Sequence, residues 1–226
     1  MRVLAIDTAL AVCAAAVLDT ARPGIRARES LPMLRGHAEA LMPLIARVMH
    51  AAQLDFSDLD RIAVTVGPGS FTGLRVGIAA ARGIALAAAK PAVGLSTLAA
   101  YAAPLIAKDD KVPVVAAIDA RHDQVYLQIF GSGGRTVIAP RIAPIDEAVR
   151  AANLGAVRIV GSAAEQVAAA WPTGQPQPSL VEARAAPEID WVARLGAASV
   201  GSAPPKPLYL KAADAHPQQA SRLARR

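Results

Sequence analysis

The sequence predicts an α/β protein built from two related halves, each a mixed sheet with helices. Three observations carry that reading. Ala5-Ile6-Asp7 ends an apolar stretch and is followed, after a turn, by the strand-like run Cys13 to Leu18, while Ala117-Ile118-Asp119 is followed, after a turn, by Val125 to Phe130. The same strand–Asp–hairpin order recurs about half a chain later, which points to an internal duplication. Leu59 to Val66 runs straight into Gly67-Pro68-Gly69-Ser70-Phe71-Thr72-Gly73 and then into a helix-forming stretch. Finally, 226 residues that are 54% hydrophobic, with a mean hydropathy of +0.34, suffice for one or two packed domains and exclude a disordered chain.

Arg2 to Asp7 reads as a short buried strand, and Ala11 to Leu18 as a second, joined by a turn at Thr8 to Leu10. After Pro23-Gly24, Ile25 to Leu31 completes a meander. Arg35 to Gln53 is the clearest helix: Leu41, Leu44, Ile45, Val48, Met49 and Ala52 repeat at helical period on one face. Pro43 removes one backbone hydrogen bond inside it and is expected to bend or restart it. Met42 and Ala46 form a second, weaker apolar stripe beside Glu39 and His50. The helix after the glycine loop is expected from about Leu74 to Ala89, with Gly77, Ala80, Ala81 and Gly83 small enough for close backbone approach. Val93 to Leu95 is a brief strand, and Ser96 caps a helix to about Ile106. Lys108-Asp109-Asp110-Lys111 is the best domain boundary, dividing 1–107 from a more divergent 108–226 that ends in the basic tail. Beyond it, Val112 to Ile118, Gln124 to Phe130 and Arg135 to Ala139 read as strands, and Ile145 to Asn153, Ala163 to Ala170 and Ile189 to Val200 as helices. Trp171 to Ser179 is a proline-rich loop, and Pro204-Pro205-Lys206-Pro207 leads to the apolar Leu208-Tyr209-Leu210.

Composition narrows the chemistry. Alanine supplies 53 residues and aromatics only 4%, so the core is built by close approach of small side chains. One cysteine excludes an intramolecular disulfide and every multi-cysteine zinc site. The net charge of +6 and pI of about 10.0 suit an acidic partner, but Arg222, Arg225 and Arg226 supply half of the excess from the tail. The N-terminus lacks the pattern of a secretory signal, and Val76 to Leu86 is too short and too charged to span a bilayer. A cytoplasmic protein without a membrane anchor is expected.

The glycine loop lies where a strand meets a helix N-terminus, so its free N–H groups could hold an anion. Its G-x-G-x-x-x-G spacing is neither the dinucleotide fingerprint nor a P-loop, so a tight turn docking a small-residue helix against the sheet is favoured over an anion site. Asp7, followed by Thr8, and Asp119 each end a strand, where a carboxylate can face a nucleotide or a hydrated Mg²⁺. No glycine follows either Asp, which makes close phosphate approach harder, and both could instead satisfy backbone donors. Asp7, Thr8, Gly67, Gly69, Ser70, Gly73 and Asp119 are the candidate nucleotide- or anion-binding residues. His37, His50, His122 and His216 form no metal-ligand pair, and Cys13 reads as a buried inert thiol. Ser70 and Ser96 sit in no nucleophile elbow, so no catalytic residue is assigned.

The segment Gly67 to Gly77, GPGSFTGLRVG, resembles the signature of the TsaB (YeaZ) family of bacterial tRNA threonylcarbamoyladenosine biosynthesis subunits. Leu4-Ala5-Ile6-Asp7-Thr8, His37 to Leu44 with its internal proline, Ile118-Asp119-Ala120-Arg121 with Gln124-Val125-Tyr126, and Pro207-Leu208-Tyr209-Leu210 are similar to further family motifs in order. The resemblance implies an actin-like, Hsp70-like, sugar-kinase-like fold of ribonuclease H-like halves. It also implies a non-catalytic subunit that pairs with the catalytic TsaD and the ATPase TsaE. TsaD then transfers a threonylcarbamoyl group to N6 of adenosine 37 in tRNAs reading ANN codons. TsaD carries a metal-binding H-x-x-x-H pair, whereas Gly94 to Tyr101 here contains no histidine.

On this resemblance the partner interface would use His37, Leu41, Met42, Ile45, Ala46, Met49, Arg75 and Arg82. The adaptable methionines would suit both self-association and hetero-association. No cofactor of its own is expected, with ATP or ADP placed at the partner interface and tRNA reached through the complex. The alternatives are a small-molecule kinase or ATPase of the same superfamily, resting on Asp7 and Asp119 but opposed by the absent glycines after both, and a glycoprotease-type metalloenzyme, which the unpaired histidines disfavour.

Overall fold

Near-continuous apolar runs, buried on both faces, make the centre of the first sheet, and only its edge strand alternates. Strands β1 (Arg2–Asp7), β2 (Val12–Asp19) and β3 (Ile25–Pro32) form an antiparallel meander. Helix α1 (His37–Ala52) leads to β4 (Arg61–Gly67), which pairs parallel to β1. Helix α2 (Phe71–Ala87), β5 (Ala92–Ser96) and α3 (Thr97–Lys108) follow, and the strand order is β3-β2-β1-β4-β5. The computed structural model describes residues 1–22, 24–201 and 203–211, so Arg222, Arg225, Arg226 and His216 lie outside the described residues.

The second half repeats the plan. Strands β6 (Val114–Asp119), β7 (Gln124–Phe130) and β8 (Thr136–Pro144) form a meander, α4 (Ile145–Ala152) crosses to β9 (Arg158–Gly161), and α5 (Ala164–Ala169) crosses to β10 (Leu180–Ala183). The sheet order is β10-β9-β6-β7-β8, which is the order of the first sheet read from its other edge. Asp7 pairs with Ala14 and Asp119 with Val125 at matching ends of the two first hairpins. Gly67 and Gly161 close the equivalent strands β4 and β9 with φ of +117° and +125°. The duplication suggested by Asp7 and Asp119 is therefore present at the level of topology.

Three local differences from the sequence reading have physical reasons. Strands β9 and β10 span four residues each, too few for alternation to show, and a charged Arg158 opens β9. Helix α2 starts at Phe71 rather than Leu74, because Ser70 caps it by accepting from the N–H of Gly73. Helix α1 runs unbroken past Pro43, whose exposed ring faces away from the sheet.

Each half lends its last helix to the other. On one face of the first sheet, Leu4, Ile6, Val17 and Val64 pack against Leu41, Leu44, Ile45 and Leu74 of α1 and α2. The opposite face, with Val3, Ala5, Ala63 and Val93, is covered by α6 (Ile189–Ala198) from the end of the second half. A Cβ on Gly196 would lie 2.3 Å from that of Ala63, so the small residues of sheet and helix are what allow this approach. Conversely, Leu98, Tyr101 and Leu105 of α3 pack against Val114, Ala116, Ile118 and Val160 of the second sheet. The Tyr101 hydroxyl donates to Arg184 O at 2.9 Å, and α3 also touches α6. The segment after α6 returns as well: Leu208 N–H donates to Val66 O at 2.7 Å. Among the described residues no helix is long and apolar enough to cross a membrane.

Candidate functional site

The carboxyl ends of β1 and β4 bring Asp7, Thr8, Gly67, Gly69, Ser70 and Gly73 to one place, and they meet each other. The Thr8 hydroxyl donates to Gly73 O at 2.7 Å, and Ser70 N–H donates to Ala9 O at 2.7 Å. A Cβ at Gly69 would lie 2.3 Å from Ala9 O, one at Gly73 2.1 Å from Thr8 O, and one at Gly77 2.4 Å from Thr8 Oγ1. The glycines thus let the start of α2 dock on the β1–β2 turn. Two of the loop's N–H groups, those of Ser70 and Gly73, are already bonded within the chain. Of the two readings of this loop, the docking turn is the one the contacts favour.

Asp7 is fully buried. Its Oδ1 accepts from the Thr65 hydroxyl at 2.5 Å and from Ala9 N–H at 2.9 Å, while Oδ2 is buried without a hydrogen-bond partner. Burial pushes its carboxyl above the usual carboxylate range, opposed by the Thr65 and Ala9 hydrogen bonds and by the charge of His37. This fixes the sign of a pH effect. Below the ordinary carboxylate pKa of about 4, Asp7 is protonated whether folded or unfolded. Above it the unfolded chain ionises freely and the folded chain resists, so stability falls with rising pH until the raised folded pKa is passed. Asp7→Asn keeps the Oδ1 acceptor and removes the charge. Denaturant titrations are expected to show the variant gaining on the wild type as pH rises from about 4 towards neutrality, and parallel stability profiles would refute this.

Asp119, at the equivalent strand end, is exposed. Its Oδ1 accepts from Arg121 N–H at 2.7 Å, and its own N–H donates to Ser162 Oγ at 3.1 Å. Identical Ala-Ile-Asp sequences thus end in different surroundings: one carboxylate is sealed beneath the glycine loop, the other tied to a surface turn. A cavity of about 530 Å³ opens between the β2–β3 hairpin and residues 184–190, lined by Ala11, Val12, Arg28 and Asp190 among others, but by none of the glycine-loop residues. Among the described residues no group of three or more His, Cys, Asp or Glu side chains comes together as a metal site.

The expected interface residues divide between two faces. Leu41, Ile45 and Met49 are buried on the sheet, so the proposal of these side chains as partner contacts is corrected by their place in the chain's own core. His37 is also buried, its Nε2 lying 3.1 Å from Val12 O and 3.3 Å from Leu10 O. With carbonyls as its neighbours, that nitrogen must carry the proton, and the ring ties α1 to the β1–β2 turn rather than to a partner. Met42, Ala46, Arg75 and Arg82 are exposed. They are joined by three residues of α2 that the sequence reading missed: Ala79, Gly83 and Leu86, the last 85% exposed. Their signal was available as a four- and three-residue spacing from Arg75 through Ala79 and Arg82 to Leu86. Arg75 is held locally, its guanidinium 3.8 Å from the Phe71 ring centroid and its Nε–H donating to Tyr209 Oη at 3.1 Å.

The family model described as "TsaD: tRNA N6-adenosine threonylcarbamoyltransferase" matches residues 32–181. The chain is 38% identical over 126 residues to the tRNA threonylcarbamoyladenosine biosynthesis protein TsaB of Escherichia coli K12, covering 56% of this chain and 53% of that protein. It is 33% identical over 202 residues to a tRNA N6-adenosine threonylcarbamoyltransferase of Sorangium cellulosum, covering 82% of this chain and 56% of that protein. The chain therefore spans about half the length of these curated relatives. Among solved structures it is similar to YeaZ from Pseudomonas aeruginosa, with a TM-score of 0.78 and 28% identity over 92% of this chain and 99% of that one. A Thermus thermophilus ROK hexokinase, at TM-score 0.51 and 14% identity, shares the actin-like fold alone.

Proposed function

We propose, from the premise that this chain belongs to the TsaB/YeaZ family, that it is a non-catalytic scaffold subunit in tRNA threonylcarbamoyladenosine biosynthesis. It acts by docking its exposed α1–α2 face on the catalytic subunit TsaD, and the complex, with the ATPase TsaE, modifies N6 of adenosine 37 in tRNAs reading ANN codons. The single observation that carries the non-catalytic part is the sealed Asp7: a fully buried carboxylate under a glycine loop that is bonded to its own β1–β2 turn. A kinase or ATPase needs these groups open to phosphate and metal. It also works by closing two halves on each other, whereas here α3 and α6 are exchanged between the two sheets.

The docking part is supported by the face itself. Met42 and Ala46 on α1, with Ala79, Gly83 and Leu86 on α2, offer small residues flanked by two exposed apolar side chains. Small residues admit a close partner helix, and Met42 and Leu86 supply burial. The same face would serve a homodimer when the partner is absent, and ATP or ADP would enter at the partner interface rather than at Asp7. The TsaD-type match at residues 32–181 favours the competing reading of a catalytic chain. Against it stand the histidines among the described residues: His37 is buried on carbonyls, His50 lies in the last turn of α1 and His122 sits in the β6–β7 turn.

Reconstitution tests the reading. TsaD, TsaE and unmodified tRNA are expected to give modified adenosine only when this chain is added, and the chain alone should give none. Full activity without it, or modification by the chain alone, would overturn the proposal. Met42→Glu and Leu86→Glu each place a charge in the packed face and are expected to weaken binding to TsaD at least tenfold, as for central interface positions. Titration calorimetry giving wild-type affinity for both would move the interface elsewhere.

A further inference from the structure

The sequence contains three Phe, three Tyr and two Trp, and two of these few rings meet on the surface. Phe71, at the start of α2, and Tyr209, in the returning C-terminal segment, are 41% and 45% exposed. Their rings stack with centroids 5.1 Å apart at 29°. Arg75 lies over Phe71 and bonds the Tyr209 hydroxyl, so the pair is held rigid from beside. The Phe71–Arg75–Tyr209 cluster plays no part in the core. The two segments that carry the cluster have charge of one sign: helix α2 holds Arg75 and Arg82 and no acidic residue, and residues 203–211 hold Lys206 and Lys211 and no acidic residue.

We propose that Phe71, Tyr209 and Arg75 form a stacking platform for an unpaired base of RNA, with the surrounding Lys and Arg side chains meeting its phosphates. Two exposed, pre-stacked rings can extend a base stack without ordering new side chains. Aromatic stacking is sequence-tolerant, and the flanking cations replace counterions on the backbone. Unpaired loop bases are the part of a folded RNA open to such contact. Exposed aromatic and arginine side chains also occur at protein interfaces, but the two segments that form the patch carry four cations and no acidic side chain, which is complementary to a polyanion. The identity of the RNA as a tRNA loop rests on the function proposed above; the binding itself does not. Phe71 and Leu86 are separated by about 22 Å along α2, so a base at one end and a protein helix towards the other are compatible.

The test is fluorescence anisotropy with the full chain alone, using a labelled RNA hairpin with a single-stranded loop and a blunt RNA duplex of equal length, across a salt series. The hairpin is expected to bind more tightly than the duplex. Phe71→Leu and Tyr209→Leu should each weaken hairpin binding about tenfold and leave duplex binding unchanged. Tyr209→Phe keeps the ring and should bind as wild type. Arg75→Gln should lower the salt slope by about one. Thermal melts identify any variant that fails to fold, and the remaining ring variant then decides. No preference for the hairpin, or wild-type hairpin binding by the folded ring variants, overturns the platform. So does loss of TsaD affinity with RNA binding intact, which makes the patch a protein contact. RNA binding by a chain that proves dispensable in reconstitution would refute the scaffold function and leave the platform standing.

Discussion

Gly73→Ala is expected to destabilise the chain by about 3 kcal/mol and to lower its melting temperature by about 10 °C. Gly83→Ala, on the same helix, is expected to stabilise it by up to about 1 kcal/mol. The two differ only in what surrounds the added methyl group. At Gly73 the Cβ would lie 2.1 Å from Thr8 O and 3.3 Å from the carbon bearing it. Neither atom can retreat alone, because the Thr8 hydroxyl is itself bonded to Gly73 O and the next residue's carbonyl accepts from Ser70. At Gly83 nothing lies within 4 Å, and only the backbone entropy of a helical glycine is at stake. Urea titrations of both variants check the pair. An anion-cradle account makes the opposite prediction for Gly73: stability close to wild type, and a wild-type melting temperature that climbs with added phosphate. A Gly73→Ala protein as stable as wild type would therefore overturn the docking account.

This contrast shows what a sequence conveys about such a site. That Gly67, Gly69 and Gly73 are positions of special backbone is visible in one line of text, because few other reasons place three glycines between a strand and a helix. What they approach is not visible, since Thr8 and Ala9 lie some sixty residues away in the chain. Asp7 and Asp119 illustrate the same limit: the same three-residue sequence gives both strands, but only packing by the glycine loop decides which carboxylate is buried. Helix α1 was legible because its apolar period is long and regular. The split between Leu41, Ile45 and Met49 inside and Met42 and Ala46 outside follows from that period once a sheet is known to lie against one face. Helix α2 hid its exposed face because alanine and glycine serve equally well inside and outside. Strand β9 was lost because Arg158, its first residue, is buried and charged, the combination least expected in a core.

Arg158 is where the second large effect is expected. Only 7% exposed, it donates from Nη1 to Leu105 O at 2.8 Å, and from Nη2 to Asp109 O and Val112 O, each at 2.6 Å. Leu105 belongs to the last turn of α3, Asp109 caps that helix, and Val112 lies in the linker to β6. The guanidinium thus closes the negative end of α3 and fastens the crossing between the halves to the second sheet. Arg158→Met keeps the apolar stem but leaves three carbonyls without that donor. A loss of about 3 kcal/mol is expected, in line with removing one side of a buried charged network. Arg158→Lys should recover only part of it, because one ammonium on a flexible stem cannot match a planar fork spread over three acceptors. The consequence should reach beyond stability. The exchange of α3 and α6 makes the two sheets one body, and Arg158 fixes the end of α3 that bridges them. Denaturation of Arg158→Met followed by far-ultraviolet circular dichroism and by tryptophan fluorescence should therefore separate into two transitions, since Trp171 reports on the second sheet and Trp191 on α6 against the first. A single coincident transition at the wild-type midpoint would show that the halves are held together without this clamp.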